Sequence, residues 1–434
     1  MVNEKIKKIS KKILTYILIY VGITIFFTAL IIGSYLLPNS TIRENIKESV
    51  GQLKVEGTGY TPFFLGHAGA MMDNHTDALM LNIAMNKGMG EDQRTLVRAM
   101  ENSYYEDETK GGISSLENNL TDSQYNNSEY SRYWHGSQVV LRPLLMRYNY
   151  VEIRYIFMFV IFLLLGITIY LISKQLGLKT VIAFIITICM MYVILIPMSL
   201  QYSFIFIVTL ISMIAILVTY KYEKTKFIPV IFFITGALAT YFDLLTYPLI
   251  TLGLPIVLTI LLENRRKTKL LDQILLSVKL GIMWTIGYGL LFFTKWVIAS
   301  IILHKDAISL AINQILFRVN GNEEYPVKRI DVLKQNFDFF FIPTAKELLT
   351  IIFIIWAILF VLTKKKIKDC SVIITLICIA IVPYVWYITF AGHSSIHSWF
   401  TNKIQAMTIF AILSAMGECI QISDLKKYIK KGDK

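Results

Sequence analysis

Residues Ile13–Leu37 read ILTYILIYVGITIFFTALIIGSYLL, without one charged side chain, and Lys5, Lys7, Lys8, Lys11 and Lys12 crowd the flank before them. A helix needs ~20 consecutive apolar residues to cross the hydrocarbon core of a bilayer. It must be a helix, because no water is present there to satisfy an open backbone. The run exceeds the ~7–15 apolar residues of a cleaved signal peptide, and no small-residue cleavage pattern follows it, so a retained first span over 13–37 is expected.

Comparable runs recur outward from this one: Val151–Ser173, Thr180–Leu200, Phe204–Tyr220, Ile274–Ile298, Leu348–Thr363, Ser371–Phe390 and Ile404–Ile422. A longer run, Phe227–Glu263, is interrupted at Asp243 and Pro248 and reads as a hairpin of two. The expectation is an all-α polytopic membrane protein of about ten transmembrane helices, with residues 151–298 carrying the second to seventh and 348–422 the eighth to tenth. The composition agrees: 55% of the 434 residues are hydrophobic, an excess that a water-solvated fold rarely carries.

The net charge of +13 follows topology and implies no nucleic-acid partner. Lys and Arg gather at 1–12, 174–179, 221–226, 265–269, 364–368 and 426–434, at every second boundary between spans. Cytoplasmic loops carry that excess, so both termini, 1–12 and 423–434, are expected inside. Cys189, Cys370, Cys378 and Cys419 lie in or near spans, and no disulfide framework is implied. A plasma-membrane protein, bacterial by its Ile, Lys and Asn richness, is the expected setting.

Two connections then lie outside. The first, 38–150, is mildly acidic, with 10 Lys/Arg against 14 Asp/Glu. Within it Ile42, Ile46, Val50 and Leu53 recur at helical spacing over Thr41–Lys54, predicting an amphipathic helix along the membrane surface or against the bundle. Gly57–Gly66 reads as a connector, Thr76–Asn86 and Glu91–Tyr104 as helices, and the polar stretch Asp107–Ser131 as mobile. The second connection, 299–347, holds a short helix over Ala307–Phe317 and a polar turn at Asn320–Pro326.

The chemistry-bearing side chains gather on that outer side, which all six histidines share. Asp73, His75 and Asp77 stand at a predicted helix start, where a carboxylate could act as general base or simply cap the helix. His135, Gln138 and Arg142 follow Tyr133 and Trp134, which read equally as an interfacial aromatic belt. Asp243 marks the hairpin tip, costly near a membrane unless solvated or paired. His393 and His397 are four apart but lack the Glu of a zinc-protease helix, so they read as donors to phosphate or sugar rather than metal ligands. Lys295, Arg318 and Arg329 offer cations to an anionic headgroup, or snorkel and solvate. A transporter would carry ionisable groups near the bilayer midplane; here the span cores lack charge and the polar residues collect at the outer interface. That favours an enzyme acting on a lipid-borne substrate.

The architecture, the long first loop with Asp73 and Asp77, and the amphipathic stretch Thr41–Lys54 together resemble the GT-C superfamily of integral-membrane glycosyltransferases. The resemblance implies a polyprenyl-phosphate-sugar donor and an envelope glycan or lipid acceptor at the extracytoplasmic face. It further implies inverting transfer with Asp77 or Asp73 as base, and a lipid phosphate held by Lys295, Arg142 or Arg318. His75, His135, Gln138, Asp243, His393 and His397 would position the sugar or acceptor. No cofactor is firmly implied; a divalent cation, were one used, would sit on Asp73 and Asp77. The competing expectations are a lipid or glycolipid flippase and a non-catalytic membrane scaffold or receptor.

Overall fold

The computed structural model describes residues 2–57, 68–85, 94–106, 111–121, 127–363 and 369–420. Most of the connector expected at Gly57–Gly66, the basic clusters at 364–368 and 426–434, and His67 lie outside the described residues.

The chain is built from helices. α1 (Val2–Tyr35) leads through Pro38 into the loop domain: α2 (Asn39–Glu56), α3 (Asn74–Ala84), α4 (Thr95–Glu101), α5 (Gly112–Thr121) and α6 (Gln138–Leu145). The only strands among the described residues are β1 (Tyr104–Tyr105) and β2 (Asn127–Ser128), paired antiparallel. The bundle continues as α7 (Tyr150–Gln175), α8 (Leu178–Met190), α9 (Leu200–Lys221), α10 (Ile228–Phe242), α11 (Ile250–Arg265) and α12 (Leu270–Leu303). α13 (Ala307–Asn320) and α14 (Arg329–Phe340) fill the second connection, and α15 (Pro343–Thr363), α16 (Ser371–Thr389), α17 (Ala391–Ile396), α18 (Ser398–Thr401) and α19 (Ala406–Glu418) complete the described chain.

Seven described helices are long and apolar enough to cross a membrane: α1, α7, α9, α10 with its preceding turn, α12, α15 and α16. The three other expected spans form shorter helices, of 13 residues in α8, 16 in α11 and 13 in α19. At ~1.5 Å per residue these reach roughly 20–24 Å, short of the ~30 Å hydrocarbon core. The run Thr180–Leu200 does not stay one helix: it breaks at Tyr192, whose φ is +56°, and goes on as a 3-10 segment, Val193–Met198, containing Pro197. Pro197, inside that segment, cannot donate to a helical ladder. Every residue of α11 from Ile250 to Glu263 is buried, so this helix is core rather than lipid-facing. α15 is its opposite: none of its apolar window is buried. Exposed rows such as Ile13, Ile17 and Ile25 on α1 and Phe353, Ile354 and Ile358 on α15 are what a lipid-solvated surface requires. The protein is an all-helical, multi-pass membrane protein.

α10 and α12 cross where neither carries a side chain. A Cβ on Gly236 would stand 2.1 Å from the Trp284 carbonyl oxygen, and one on Gly287 2.0 Å from that of Phe233. Small residues at such a crossing let backbones approach as they do between membrane helices.

The loop domain has its own core. Ile42, Ile46, Val50 and Leu53 on α2 are all buried, packed with residues of α3, α5, α6 and α7. The amphipathic stripe therefore faces protein. The helix expected over Glu91–Tyr104 is shorter, ending at Asn102 in the left-handed region. The stretch expected to be mobile contains α5, a ten-residue helix whose Ile113 and Leu116 sit one turn apart and anchor it in that core. Two apolar residues at that spacing outweigh a polar composition.

Candidate functional site

Asp73 is the N-cap of α3. It accepts from the Thr76 backbone N–H at 3.0 Å and the Thr76 hydroxyl at 2.8 Å. Burial pushes its carboxyl up to about 6, against those bonds and Lys403. Asp77, on the same side of the helix, looks into the protein. Its oxygens accept from the Tyr150 hydroxyl, the Ser199 hydroxyl at 3.0 Å and the Leu200 N–H at 2.9 Å. Arg154 donates to the Tyr150 oxygen and pairs with Glu56 at 2.5 Å. Burial also raises Asp77 to about 6, opposed first by Arg154. This network ties α3 to α7 and α9. Both carboxylates are fully buried with their oxygens engaged, and neither is in the lining of the pocket that His75 faces. Among the described residues no group of three or more His, Cys, Asp or Glu is arranged to hold a metal.

His75 faces the other way. It lines a polar pocket of about 130 Å³ together with Tyr130, Gln201, Arg318, His393 and His397. Gly112 of α5 seats it: a Cβ there would fall 2.9 Å from His75 Nδ1. The start of α3, the hairpin tip at Leu244 and the 393–397 turn thus converge, though separated widely in sequence.

Arg318 organises the pocket. Its Nη1 donates to His393 Nδ1 at 3.2 Å and to His397 Nε2 at 2.7 Å. His393 Nε2 donates in turn to the Leu245 carbonyl at 2.6 Å, which fixes its tautomer. His397, accepting at Nε2, is left with a proton on Nδ1. That Nδ1 and Arg318 Nε are buried without partners. Burial lowers His397 to about 3 and His393 well below its usual range, and Arg318 depresses both further. Both rings are therefore neutral and the guanidinium carries the local positive charge. Among the described residues no carboxylate pairs with it. Gly392 permits the contact, since a Cβ there would lie 2.4 Å from the Phe317 carbonyl.

Arg318 also lines a second, larger cleft of about 420 Å³, walled by Tyr133, Trp284, Tyr288, Phe292, Trp296 and Trp386, with Arg132 beside it. Ile315 at its rim is 41% exposed. A polar pocket and an aromatic cleft therefore meet at one guanidinium.

No protein-family model matches the chain, and no curated protein or solved structure matches it.

Other expected site residues stand elsewhere. Arg142 is buried with its guanidinium spent on the carbonyls of Ser34, Ala84 and Leu37 and on Asn39 Oδ1. Lys295 is buried and donates to the Met100 carbonyl at 2.7 Å. Gln138 donates to the Met80 carbonyl, and His135 Nε2 meets the Tyr130 carbonyl at 3.1 Å. Arg142 and Lys295 tie the loop domain to α1 and α12, Gln138 and His135 bond within the loop domain, and none of the four lines either cavity. Asp243 accepts from the Thr246 N–H at 3.0 Å and holds the turn that carries Leu244 and Leu245. Burial raises it to about 7. Arg329 donates to the Ile388 carbonyl at 3.2 Å. Sequence reasoning missed Tyr130, Arg132 and Gln201, although Arg132 adjoins the Tyr133–Trp134 pair that drew notice.

Chemically, Arg318 Nε and His397 Nδ1 are two donors left without an acceptor, which an anion would satisfy, and the adjoining aromatic walls suit an apolar tail. The arrangement is suited to an amphiphile whose acidic headgroup enters the polar pocket.

Proposed function

We propose that the protein is a membrane glycosyltransferase that moves a sugar from a polyprenyl-phosphate donor to an envelope glycan or lipid acceptor. The observation that carries this reading is the junction at Arg318. There an aromatic cleft of about 420 Å³ and a histidine-lined pocket share one guanidinium, beside donors that have no partner. The donor phosphate would lie on Arg318 and His397 Nδ1, its tail along Trp284, Phe292 and Trp296, and its sugar toward His75 and Gln201. An acceptor hydroxyl oxygen attacks the anomeric carbon and the new C–O bond forms. The anomeric C–O bond to phosphate breaks, and its electron pair leaves on a phosphate oxygen that Arg318 stabilises. The hydroxyl proton passes to a ring nitrogen of His75, whose pKa burial lowers so that the ring is neutral when the acceptor binds. Asp73 and Asp77 act here as positioning residues.

The reading also takes the bundle as crossing the membrane ten times, α8, α11 and α19 making up the count, with both termini cytoplasmic and the site outside. Reporter fusions after residues 175 and 303 test that orientation.

The chemical test uses the purified protein, a radiolabelled polyprenyl-phosphate sugar and an envelope fraction. Arg318→Gln is expected to lower transfer by about 100-fold or more, the size of losing one directed donor to a developing anion. Full transfer by a folded Arg318→Gln protein overturns the proposal.

A further inference from the structure

The end of the bundle remote from the loop domain carries a separate cleft of about 510 Å³. Lys295, held at Met100 of the loop domain, lies about 35 Å from Asp272 along α12 at ~1.5 Å per residue. On that wall Asp272, Leu276 and Lys279 recur at positions that share a helix face. Lys226, Ile228, Pro229 and Glu263, from outside α12, also line it.

Its unmet chemistry is specific. Gln273 is wholly buried, and its Nε2 donates to the Thr268 carbonyl at 3.1 Å and to the Thr268 hydroxyl at 3.2 Å, while its Oε1 accepts nothing. A buried amide oxygen without a donor is costly, so an occupant bringing an N–H or O–H is favoured. Glu263 is already engaged by the Tyr220 hydroxyl at 2.6 Å and by Arg266. Asp272 is exposed and so are Lys226 and Lys279, giving one open carboxylate and two ammonium groups around the buried acceptor.

We propose that this cleft binds the headgroup of an aminophospholipid, its ammonium on Gln273 Oε1 and Asp272 and its phosphate on Lys226 and Lys279. A choline headgroup has no N–H to give Gln273, and a glycerol headgroup has no cation for Asp272. The acyl chains would leave the cleft past Ile228, Pro229 and Leu276, which are the apolar part of its lining. This site is independent of the transferase reading.

The experiment is native mass spectrometry of the full chain in detergent with phosphatidylethanolamine, phosphatidylglycerol or phosphatidylcholine added in turn. Phosphatidylethanolamine is expected to be retained about fivefold or more over the other two, the effect of one charge-assisted hydrogen bond. Gln273→Leu and Asp272→Asn should each erase that preference, whereas Lys226→Ala with Lys279→Ala should lower retention of all three lipids. Asp272 and the lysines are exposed, so those variants keep the test alive if Gln273→Leu fails to fold. Absence of adducts, equal retention of the three lipids, preference for another headgroup, or an unchanged preference in Asp272→Asn overturns the proposal.

Discussion

At the residue scale the site turns on which way a few side chains point. Asp73 and Asp77 are four apart and share one face of α3, so His75 must look elsewhere. That much is legible in the sequence. Which face meets the cavity is not, because it depends on Tyr150, Ser199 and Leu200 arriving from distant helices to engage Asp77. The same holds for Arg142 and Arg318, two arginines of equal promise in the chain. One is surrounded by carbonyl oxygens and the other keeps a donor free. Asp77→Asn separates the structural role from a catalytic one. Asn can accept but its amide opposes the Leu200 N–H, so a loss of about 1–3 kcal/mol in stability is expected. Thermal melts should show that loss, while turnover per folded molecule stays within about threefold, because Asp77 is outside the lining of the His75 pocket.

At the scale of elements, close approaches through glycine set the geometry. Gly392 lets α17 rest against the end of α13, which carries Arg318. Gly392→Ala must push those helices apart by some tenths of an ångström or more, since its Cβ meets backbone rather than a flexible side chain. The expected result is an about tenfold weaker binding of polyprenyl phosphate with the fold retained, read by binding titration in detergent and by circular dichroism. Most spans were legible because apolar runs of this length have few other uses. The runs that became α8, α11 and α19 were not legible as short helices. A run of apolar residues does not record whether lipid or protein surrounds it, and α11 is enclosed by its neighbours. α5 was hidden for the converse reason, its two anchoring residues being diluted by polar ones.

For the whole molecule, buried carboxyls make stability depend on pH. Asp243 titrates at about 7 in the fold against 3.8 ordinarily, because burial disfavours its charge. Between those values the folded state holds the proton and the unfolded state has lost it. Stability therefore falls as pH rises through this window, and the contribution is fully present only below about 4. Asp243→Asn keeps an acceptor for Thr246 and removes the ionisation. Its melting temperature should match the parent near pH 4 and exceed it by a few degrees at pH 8. Equal melting temperatures at pH 8 would refute the assignment.

α12 runs for 34 residues, about 50 Å at ~1.5 Å per residue, against a hydrocarbon slab of ~30 Å. A rod of that length must lean or protrude, and its half nearest the loop domain carries Tyr288, Phe292 and Trp296 along the aromatic cleft. On the proposed transferase reading the cleft would serve as a ramp between leaflet and water. A long-chain substrate would be gripped only over the carbons next to its headgroup while the rest of its tail stays among the lipids. Discrimination between substrates should accordingly reside in that first stretch, and chains differing only further along should be handled alike.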